Sequence, residues 1–462
     1  MANFRSLSVI FATLLSISSV AAQLVVPALD PFYAPPAGFA ATAPGTILRT
    51  RKVQTSFLGL IPDPVQAWQL LYRTRAVDGS AIADVTTVFK PTNALTDRFV
   101  SFQTAYDGAA RSGVCDPSYN YQLGSPQIDL ISSAEYFLLQ SYLQSGYIVS
   151  SPDYEGPDAT FGAGRLAGWG VLDSMRAVVN FKSTLGLSTS SPKIVGYGYS
   201  GGAIATGWAA GLQPTYAKEL NINGWAMGGT PANLTGTSLF IDGTLFAGFL
   251  PQALAGLDAP SSYAKQLDPV YAQYLTTYGK SVLALAKQIC GAENILTFAG
   301  QSVQSPAFQT YGPNVETQPA LQAVLRQQTM GVNRTETPTA PVYMFHAPQD
   351  EIIPYSNATT LFNSWCSYGA SVHFTTVAAG GHATTEILGF PGAMAFVQSA
   401  FAGTTTPGCS QDTIDNDALS PTALGANLEP ELVGLINVLL AAGKGDANIK
   451  ADPSVLGKKI TA

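Results

Sequence analysis

Five residues, Gly-Tyr-Ser-Gly-Gly at positions 198–202, place a serine between glycines in the pattern Gly-x-Ser-x-Gly. The apolar run Ile194–Tyr197 precedes them and small residues follow, which predicts a strand that turns directly into a helix. Such a sharp turn exposes the hydroxyl of Ser200, and a Cβ at Gly198 or Gly202 would collide with the neighbouring backbone. The pattern indicates a nucleophilic serine for acyl transfer. A glycine-rich loop that contains a serine by chance is the alternative.

A serine hydroxyl needs a base that accepts its proton, and the chain has three histidines. His382 follows Ala379-Gly380-Gly381 in a predicted loop after the last predicted core strand, where glycines let an imidazole reach towards the serine. We expect His382 to be the base. His373 lies within that strand, where it is expected to pack, and His346 ends the preceding strand, where it could support the site.

The base in turn needs a carboxylate that holds its tautomer and stabilises the imidazolium. Asp350 follows a predicted strand end by a short loop and precedes His382, which gives the order serine, aspartate, histidine. Glu351 is the adjacent alternative, and both carboxylates could instead be solvated loop charges. The shorter side chain of Asp350 favours it as the acid.

An oxyanion formed at the serine needs two hydrogen-bond donors. The backbone N–H of Gly201, directly after the nucleophile, is the expected first donor. The second should come from the loop after an early strand, where Tyr106–Ala109 lies, and we assign it to the backbone N–H of Asp107. Asp107 could also simply begin the turn that Gly108 completes.

The N-terminal residues and three triplets that can accept N-glycans predict a secreted protein. Residues 1–22 read as a signal peptide, with Arg5, an apolar stretch and small residues before a cut near Gln23. No later stretch is long enough to span a bilayer, including Leu432–Ala442. Three Asn-x-Thr triplets fit a glycosylated secreted protein, and they begin at Asn233, Asn333 and Asn357.

The four cysteines fit an oxidising compartment and allow three pairings. A bond from Cys366 to Cys409 would close a loop worth roughly 3–5 kcal/mol in the entropy model, and Cys115 and Cys290 would then join distant segments. Four buried free thiols are the alternative.

Composition excludes some classes of function. The net charge of −7 argues against nucleic-acid partners and gives no attraction to anionic membranes. Charged residues are only 11% of the chain and aromatic residues 10%, so the surface would tolerate an apolar interface. The histidines have no metal-ligand spacing, the acidic loop at Asp412, Asp415 and Asp417 is better explained as a solvated turn than as a calcium site, and we expect no metal or cofactor.

Short β-branched or aromatic runs alternate with helical stretches, which predicts a mostly parallel sheet flanked by helices. Predicted strands are Asp84–Phe89, Phe99–Tyr106, Tyr147–Ser150, Lys193–Tyr197, Gly224–Met227, Pro341–Phe345 and Val372–Val377. Predicted helices are Ala134–Gln144, Leu166–Lys182, Gly202–Leu212, Thr359–Tyr368, Phe390–Phe401 and Pro430–Ala442.

The 462 residues exceed the usual size of one core, so an insertion or a second domain is expected. The alternation stops between about residues 229 and 328, where helical, apolar and tyrosine-rich stretches occur. We predict a core at 23–228 and 329–410, an inserted helical cap at 229–328, and a C-terminal extension at 411–462.

The chain resembles fungal secretory lipases of the lipase A type, a branch of the α/β-hydrolases with a helical cap. The matching segments are Tyr106-Asp107, Cys115–Tyr119, Pro152–Pro157, Val171–Ala177, Gly198–Gly202 and the loops at Asp350 and His382. The resemblance implies Ser200 as nucleophile, His382 as base, Asp350 as acid, and Asp107 with Gly201 as the oxyanion hole. It also implies the disulfides Cys115–Cys290 and Cys366–Cys409, and a cap that shields an acyl tunnel.

We therefore expect a secreted, monomeric triacylglycerol lipase that binds lipid esters, also at an oil-water interface, and that could pass its acyl group to an alcohol. Alternatives are a short-chain carboxylesterase, a secreted serine peptidase on the same fold, or a protein that binds without catalysis.

Overall fold

The computed structural model describes residues 24–126, 129–378 and 380–414. The predicted leader at 1–22 and the predicted helix Pro430–Ala442 lie outside these ranges. The described strands are β1 (Ile47–Val53), β2 (Ser56–Phe57), β3 (Ile61–Pro62), β4 (Gln66–Arg75), β5 (Ala81–Lys90), β6 (Arg98–Gln103), β7 (Ile148–Pro152), β8 (Lys193–Tyr199), β9 (Ile222–Gly228), β10 (Val342–His346), β11 (Val372–Val377) and β12 (Ser410–Ile414).

The helices surround these strands and connect them. In the described ranges they are α1 (Pro117–Asn120), α2 (Leu130–Gln144), α3 (Gly164–Asn180), α4 (Lys182–Leu185), α5 (Gly201–Tyr216), α6 (Leu234–Ile241), α7 (Phe249–Leu257), α8 (Ala264–Tyr274), α9 (Thr277–Ala286), α10 (Gly291–Thr297), α11 (Pro319–Gln327), α12 (Tyr355–Ser367) and α13 (His382–Ala402). Short 3₁₀ helices occur at Pro27–Leu29, Phe39–Ala41 and Val315–Thr317.

Ten of the described strands form one sheet in the order β1-β4-β5-β7-β6-β8-β9-β10-β11-β12. Neighbours are parallel from β7 to β12, whereas β1, β4 and β5 form an antiparallel flank. Parallel neighbours need long crossovers, which the helices supply. The prediction of a mostly parallel sheet flanked by helices is confirmed, and all seven predicted strands lie in this sheet.

Both faces of the sheet are covered, as β8 illustrates. Ile194 packs in the cluster that contains Trp208 of α5, whereas Val195 and Tyr197 pack on the opposite side with Phe401 of α13. Successive side chains of a strand point to opposite faces, so a strand buried on both sides is apolar throughout. The continuous apolar run before Ser200 therefore marks a central strand.

Three of the differences between the structure and the predicted elements concern the site or the extent of the sheet, whereas others, such as the start of α12 at Tyr355 instead of Thr359, only lengthen a helix. β6 ends at Gln103, three residues before the predicted Tyr106, because the next backbone groups bond to side chains: Thr104 C=O accepts from Tyr154 and Ala105 N–H donates to Glu135. The last core helix begins at residue 382, not 390, so the base candidate starts a helix instead of lying in a loop.

The third difference concerns strands that were not predicted. β1 and β4 extend the sheet before Asp84, and β12 adds a parallel edge strand beside β11. The predicted start of the C-terminal extension at residue 411 falls inside β12.

Residues 229–341 hold helices α6 to α11 and contribute no strand to the large sheet in this fully described interval. Their apolar side chains, such as Leu267 and Leu321, form a separate cluster that also contains Ile352 and Ile353 from the loop after β10. The helical insertion therefore packs directly on the loop that carries Asp350.

Two disulfides join these parts. Cys115–Cys290 links the loop region after β6 to the residue preceding α10, and Cys366–Cys409 links α12 to the residue before β12. These are the pairs that the resemblance implies. Among the described helices, none combines the length and apolar character that crossing a bilayer requires.

Candidate active site

Ser200 lies at the turn between β8 and α5 in a strained backbone conformation, with φ 52° and ψ −119°. Such a conformation costs on the order of 1–3 kcal/mol and persists only where its surroundings enforce it. A Cβ on Gly198 would strike the Gly202 carbonyl, and a Cβ on Gly202 would strike the Gln103 carbonyl of β6. The steric reason for this glycine pattern is therefore present in the structure.

Asp350 and His382 form a buried hydrogen-bonded pair, with Nδ1 of the ring 2.7 Å from Oδ2 of the carboxylate. The other carboxylate oxygen accepts the N–H groups of Ile352 at 2.9 Å and Ile353 at 2.7 Å. Glu351, the alternative acid, instead accepts the backbone N–H of His382 at 2.9 Å. Of the two adjacent carboxylates, only Asp350 contacts the ring in the described structure.

The other two histidines have different surroundings. His346 is fully buried, and its Nε2 lies 3.1 Å from Asp350 Oδ2 and 3.1 Å from the Ile353 carbonyl. His373 contacts Ser410 and Asp412 on the edge strand β12. His346 thus supports the carboxylate, and His373 belongs to the sheet edge.

The electrostatics of the pair favour a charged imidazole. Burial acts to raise the pKa of Asp350, but the charge of His382 and hydrogen bonds from His346 and His382 lower that pKa below its usual value. Burial acts to lower the pKa of His382, but attraction and a hydrogen bond from Asp350, with the charge of Glu351, raise it. The pair is therefore built to stabilise the imidazolium that forms when the ring accepts a proton.

The second ring nitrogen of His382 is available for that proton. Nε2 is buried and has no hydrogen-bond partner among the described residues. His382 and Ser200 line the same cavity. A nucleophile and its base are often not bonded without substrate, so this arrangement fits a base waiting for the serine proton.

Asp107 and Gly201 meet beside Ser200. A Cβ on Gly201 would strike Oδ1 of Asp107, so the aspartate occupies the space that a side chain at 201 would fill. Neither backbone N–H has a hydrogen-bond acceptor among the described residues. Both residues line a cavity together with Ser200. Two free N–H groups beside a hydroxyl could stabilise a tetrahedral oxyanion.

The Asp107 carboxyl differs sharply from that of Asp350. Asp107 is only 3% exposed, and its Oδ1 has no partner in the described structure. Burial raises its pKa to about 7, although the charge of His382 opposes this shift. Its neutral form therefore predominates in acidic solution.

Three more carboxyls around the Asp107 loop, of which Glu135 and Glu155 are buried and Glu386 is half-buried, were not predicted from the sequence. Glu135 of α2 accepts the Ala105 N–H at 2.7 Å and is hydrogen-bonded to Glu386, one turn after His382. Glu155 accepts the Gly108 N–H at 3.0 Å. Burial raises the pKa of all three, that of Glu386 to about 7. Their only sequence signal was the placement of Glu155 in the Pro152–Pro157 segment.

An apolar cavity leads from Ser200 under the helical insertion. Its walls include Ile241 of α6, Leu254 of α7 and Leu325 of α11, together with Ile352 of the core. Such apolar walls suit a hydrocarbon chain.

The three sequons lie in different environments. Asn333 is exposed, and its side chain bonds only to Thr335 two residues on. Asn233 and Asn357 are half-buried, and the amide of Asn357 donates to the Asn233 carbonyl at 3.1 Å. Across the part of the chain that the structure describes, no group of three or more His, Cys, Asp or Glu side chains could hold a metal ion.

Comparisons with known proteins show which family this chain resembles. The family model for secretory lipases matches residues 121–408. A secreted triacylglycerol lipase of Malassezia furfur is 41% identical over 88% of this chain and 83% of its own length. Lipase 6 of Candida albicans is 35% identical over 98% of this chain and 96% of its own.

A solved lipase structure is also similar to this chain in its fold. The crystal structure of Candida antarctica lipase A superposes with a TM-score of 0.81 at 31% identity, over 89% of this chain and 95% of that one. With the turn at Ser200, the Asp350–His382 pair and the helical insertion, these matches establish that the chain belongs to the secretory lipase family, with an α/β-hydrolase fold.

Proposed function

We propose that the protein is a secreted serine lipase that hydrolyses carboxylic esters of triacylglycerols or similar acyl esters. The observation that carries this proposal is the Asp350–His382 pair, whose free Nε2 borders the same cavity as Ser200. The relatives named secreted triacylglycerol lipases support the same substrate class.

In the proposed first step, Nε2 of His382 takes the proton of the Ser200 hydroxyl while Oγ forms a bond to the ester carbonyl carbon. The carbonyl electrons move to oxygen, which accepts hydrogen bonds from the N–H groups of Asp107 and Gly201. When the intermediate collapses, the C–O bond to the alcohol breaks and His382 returns the proton to that oxygen.

In the second step, water attacks the acyl-enzyme by the same route. His382 takes a proton from the water, the second tetrahedral intermediate forms, and the proton then passes to Ser200 Oγ as the fatty acid leaves. An alcohol in place of water would give a new ester, which is the proposed transferase activity.

The apolar cavity under the insertion is the proposed acyl site. Its position next to Ser200 places a hydrocarbon chain along α6, α7 and α11 while the carbonyl stays at the nucleophile. We assign residues 229–328 to a cap that shields this tunnel, and residues 23–228 and 329–414 to the core, which includes β12. Residues 415–462 would then be a C-terminal extension.

The relatives named secreted lipases, the two disulfides and the predicted leader at residues 1–22 support secretion. We propose a glycosylated monomer that acts on emulsified lipid. Asn333 is the sequon whose side chain is most exposed, so its N-glycan requires no change in packing.

The experiment is hydrolysis of p-nitrophenyl esters from acetate to palmitate and of emulsified tributyrin, with covalent labelling by a fluorophosphonate. Ser200→Ala should abolish turnover and labelling. Ser191→Ala, an exposed serine before β8, should leave both unchanged. Turnover that survives in Ser200→Ala would refute the mechanism, and a steep fall beyond butyrate would identify a short-chain esterase instead.

A further inference from the structure

The Asp107 backbone adopts a conformation that needs external support. Its φ is 46°, in the left-handed region that a non-glycine residue rarely occupies. A strained residue of this kind persists only when surrounding contacts fix it. The contacts that hold the loop therefore determine where the Asp107 N–H points.

Two buried side chains hold the peptide group between Asp107 and Gly108 from opposite ends. The amide of Gln252 donates a hydrogen bond to the Asp107 carbonyl. The carboxyl of Glu155 accepts the Gly108 N–H at 3.0 Å. Because carbonyl and N–H belong to one planar peptide group, these bonds fix its orientation and hence the backbone torsion next to the Asp107 N–H.

Close packing leaves this peptide little room to rotate. A Cβ on Gly108 would lie 3.1 Å from the Cβ of Cys115, which the disulfide ties to Cys290. On the other side, a Cβ on Gly291 would lie 3.4 Å from the Asp107 carbonyl oxygen. The cap residue that follows the disulfide therefore packs against the same carbonyl as Gln252.

Gln252 is unusual for its surroundings. It is the polar residue within the apolar stretch Leu245–Leu257, which includes α7, and it is fully buried. A buried amide is costly unless it is hydrogen-bonded, and the bond from Nε2 to Asp107 offsets part of that cost, since Oε1 has no partner among the described residues. A single polar residue within an apolar stretch indicates in the sequence that a buried contact exists. The sequence does not identify the partner of Gln252, which lies 145 residues away.

We propose that Gln252 and Glu155 are positioning residues that orient the Asp107 N–H for the oxyanion, and that Gln252 couples the cap to catalysis. The inference rests on the proposed function, since it concerns the hole that serves Ser200. Gln252 belongs to cap helix α7, whereas Glu155 belongs to the core. The oxyanion hole is therefore complete only while α7 holds the described position.

The test separates orientation from folding by comparing kcat, KM and transition-state affinity. Gln252→Met keeps the side-chain length but removes the amide donor. Removal of an oxyanion donor costs about 100- to 1,000-fold in kcat, and a misoriented donor should cost less, about 10- to 100-fold. KM for p-nitrophenyl butyrate should stay within about threefold, and the Ki of butylboronic acid should rise by a factor similar to the loss in kcat.

A matched pair at Glu155 keeps the proposal testable if the first variant folds poorly. Glu155→Gln retains a carbonyl oxygen that can accept the Gly108 N–H, so it should keep most of the activity. Glu155→Leu removes the acceptor and should show the same kcat loss and Ki rise as Gln252→Met. Gln309→Met is the cap control, because Gln309 is buried and bonds only within the cap; it should lower Tm while kcat and Ki stay unchanged.

The outcomes distinguish this inference from the proposed function. Unchanged kcat and Ki in Gln252→Met or Glu155→Leu, with a lower Tm, would show that these side chains only pack the loop. Failure of wild-type labelling by a fluorophosphonate, or activity in Ser200→Ala, would instead overturn the serine mechanism itself.

Discussion

The carboxyls of Asp350 and Asp107, on the two sides of Ser200, are equally buried, yet their pKa values are shifted in opposite directions. Asp350 is 3% exposed and has two histidines and two N–H groups around it, and its pKa is lowered. Asp107 is also 3% exposed, but its Oδ1 has no partner in the described structure and its pKa is raised to about 7.

Burial acts to raise the pKa of both carboxyls, so the charge of His382 and the hydrogen bonds from the two histidines are what distinguish Asp350 from Asp107. In the proposed mechanism, the ionised carboxylate on the histidine side stabilises a developing imidazolium. On the proposed oxyanion side, Asp107 would lie where negative charge develops, so its neutral form causes no repulsion. In acidic solution the site thus holds one carboxyl charged and a nearby one neutral, which suits these two proposed tasks.

Replacing the charged carboxyl gives the largest expected effect. Asp350→Asn removes the charge and the acceptor that hold His382 in its productive tautomer, and kcat should fall by about 10³- to 10⁴-fold. The measurement is steady-state hydrolysis of p-nitrophenyl butyrate, with circular dichroism to verify folding. A loss in kcat of less than tenfold would mean that Asp350 and Asp107 do not differ in the way described.

The carboxyls with raised pKa values around Asp107 predict an unusual pH dependence of the protein's stability. Burial raises the folded-state pKa of Asp107, Glu135, Glu155 and Glu386, so the folded protein binds more protons than the unfolded chain above pH about 4. Stability from these groups is complete below pH about 4 and is lost as pH rises through their raised pKa values, which are about 7 for Asp107 and Glu386. The raised pKa of His382 acts in the same direction.

We expect Tm to be higher at pH 5 than at pH 8, by about 5–15 °C, in differential scanning calorimetry. Glu386→Gln keeps a neutral group at the position and should flatten this dependence. A Tm that rises from pH 5 to pH 8 would show that these carboxyls are ionised in the folded protein.

Replacing aspartate by asparagine should affect activity much less at Asp107 than at Asp350. Asp107→Asn replaces a protonated carboxyl by a neutral group of similar shape and keeps the backbone N–H. Activity at pH 6 should stay within about fivefold of wild type. Above pH about 7 the wild-type kcat/KM should fall as Asp107 ionises, whereas the variant should lack this decline.

Profiles of kcat/KM against pH for both proteins test this contrast. If Asp107→Asn is as damaging at pH 6 as Asp350→Asn, the carboxylate form of Asp107 is required and the contrast is wrong.

The smallest effect is expected at Glu351. Its charge raises the pKa of His382, and its carboxyl accepts the backbone N–H of that residue. Glu351→Gln keeps an acceptor but removes the charge, so the acidic limb of kcat/KM should move to lower pH by a few tenths of a unit. A shift to higher pH would contradict the assigned sign.

The parts of this site that follow local rules could be predicted from the sequence. The Gly198–Gly202 turn depends on steric contacts within a strand-turn-helix unit, and the parallel strands appear as short apolar runs. Asp350 and His382 could be proposed because each follows a predicted strand. The sequence does not show their hydrogen bond, but the order serine, aspartate, histidine along the chain reduced the number of candidate acids and bases.

The remaining features depend on contacts between distant residues. Gln252 and Asp107, or Glu135 and Glu386, meet only because the fold brings distant helices and loops together, and no local pattern encodes such a pairing. The early end of β6 has the same origin, since the partners of its next residues come from α2 and from the loop after β7. A polar residue in an apolar stretch indicates that a partner exists but does not identify it.

The bond between Cys115 and Cys290 also constrains how the protein is made. Its two cysteines are 175 residues apart, so the crosslink can close only after strands β1 to β9 and more than half of the insertion have been synthesised. The loop that bears Asp107 therefore reaches its final packing late, in the oxidising compartment of the secretory route. Enzyme synthesised in a reducing cytosol should consequently contain a formed sheet but an unfinished oxyanion loop.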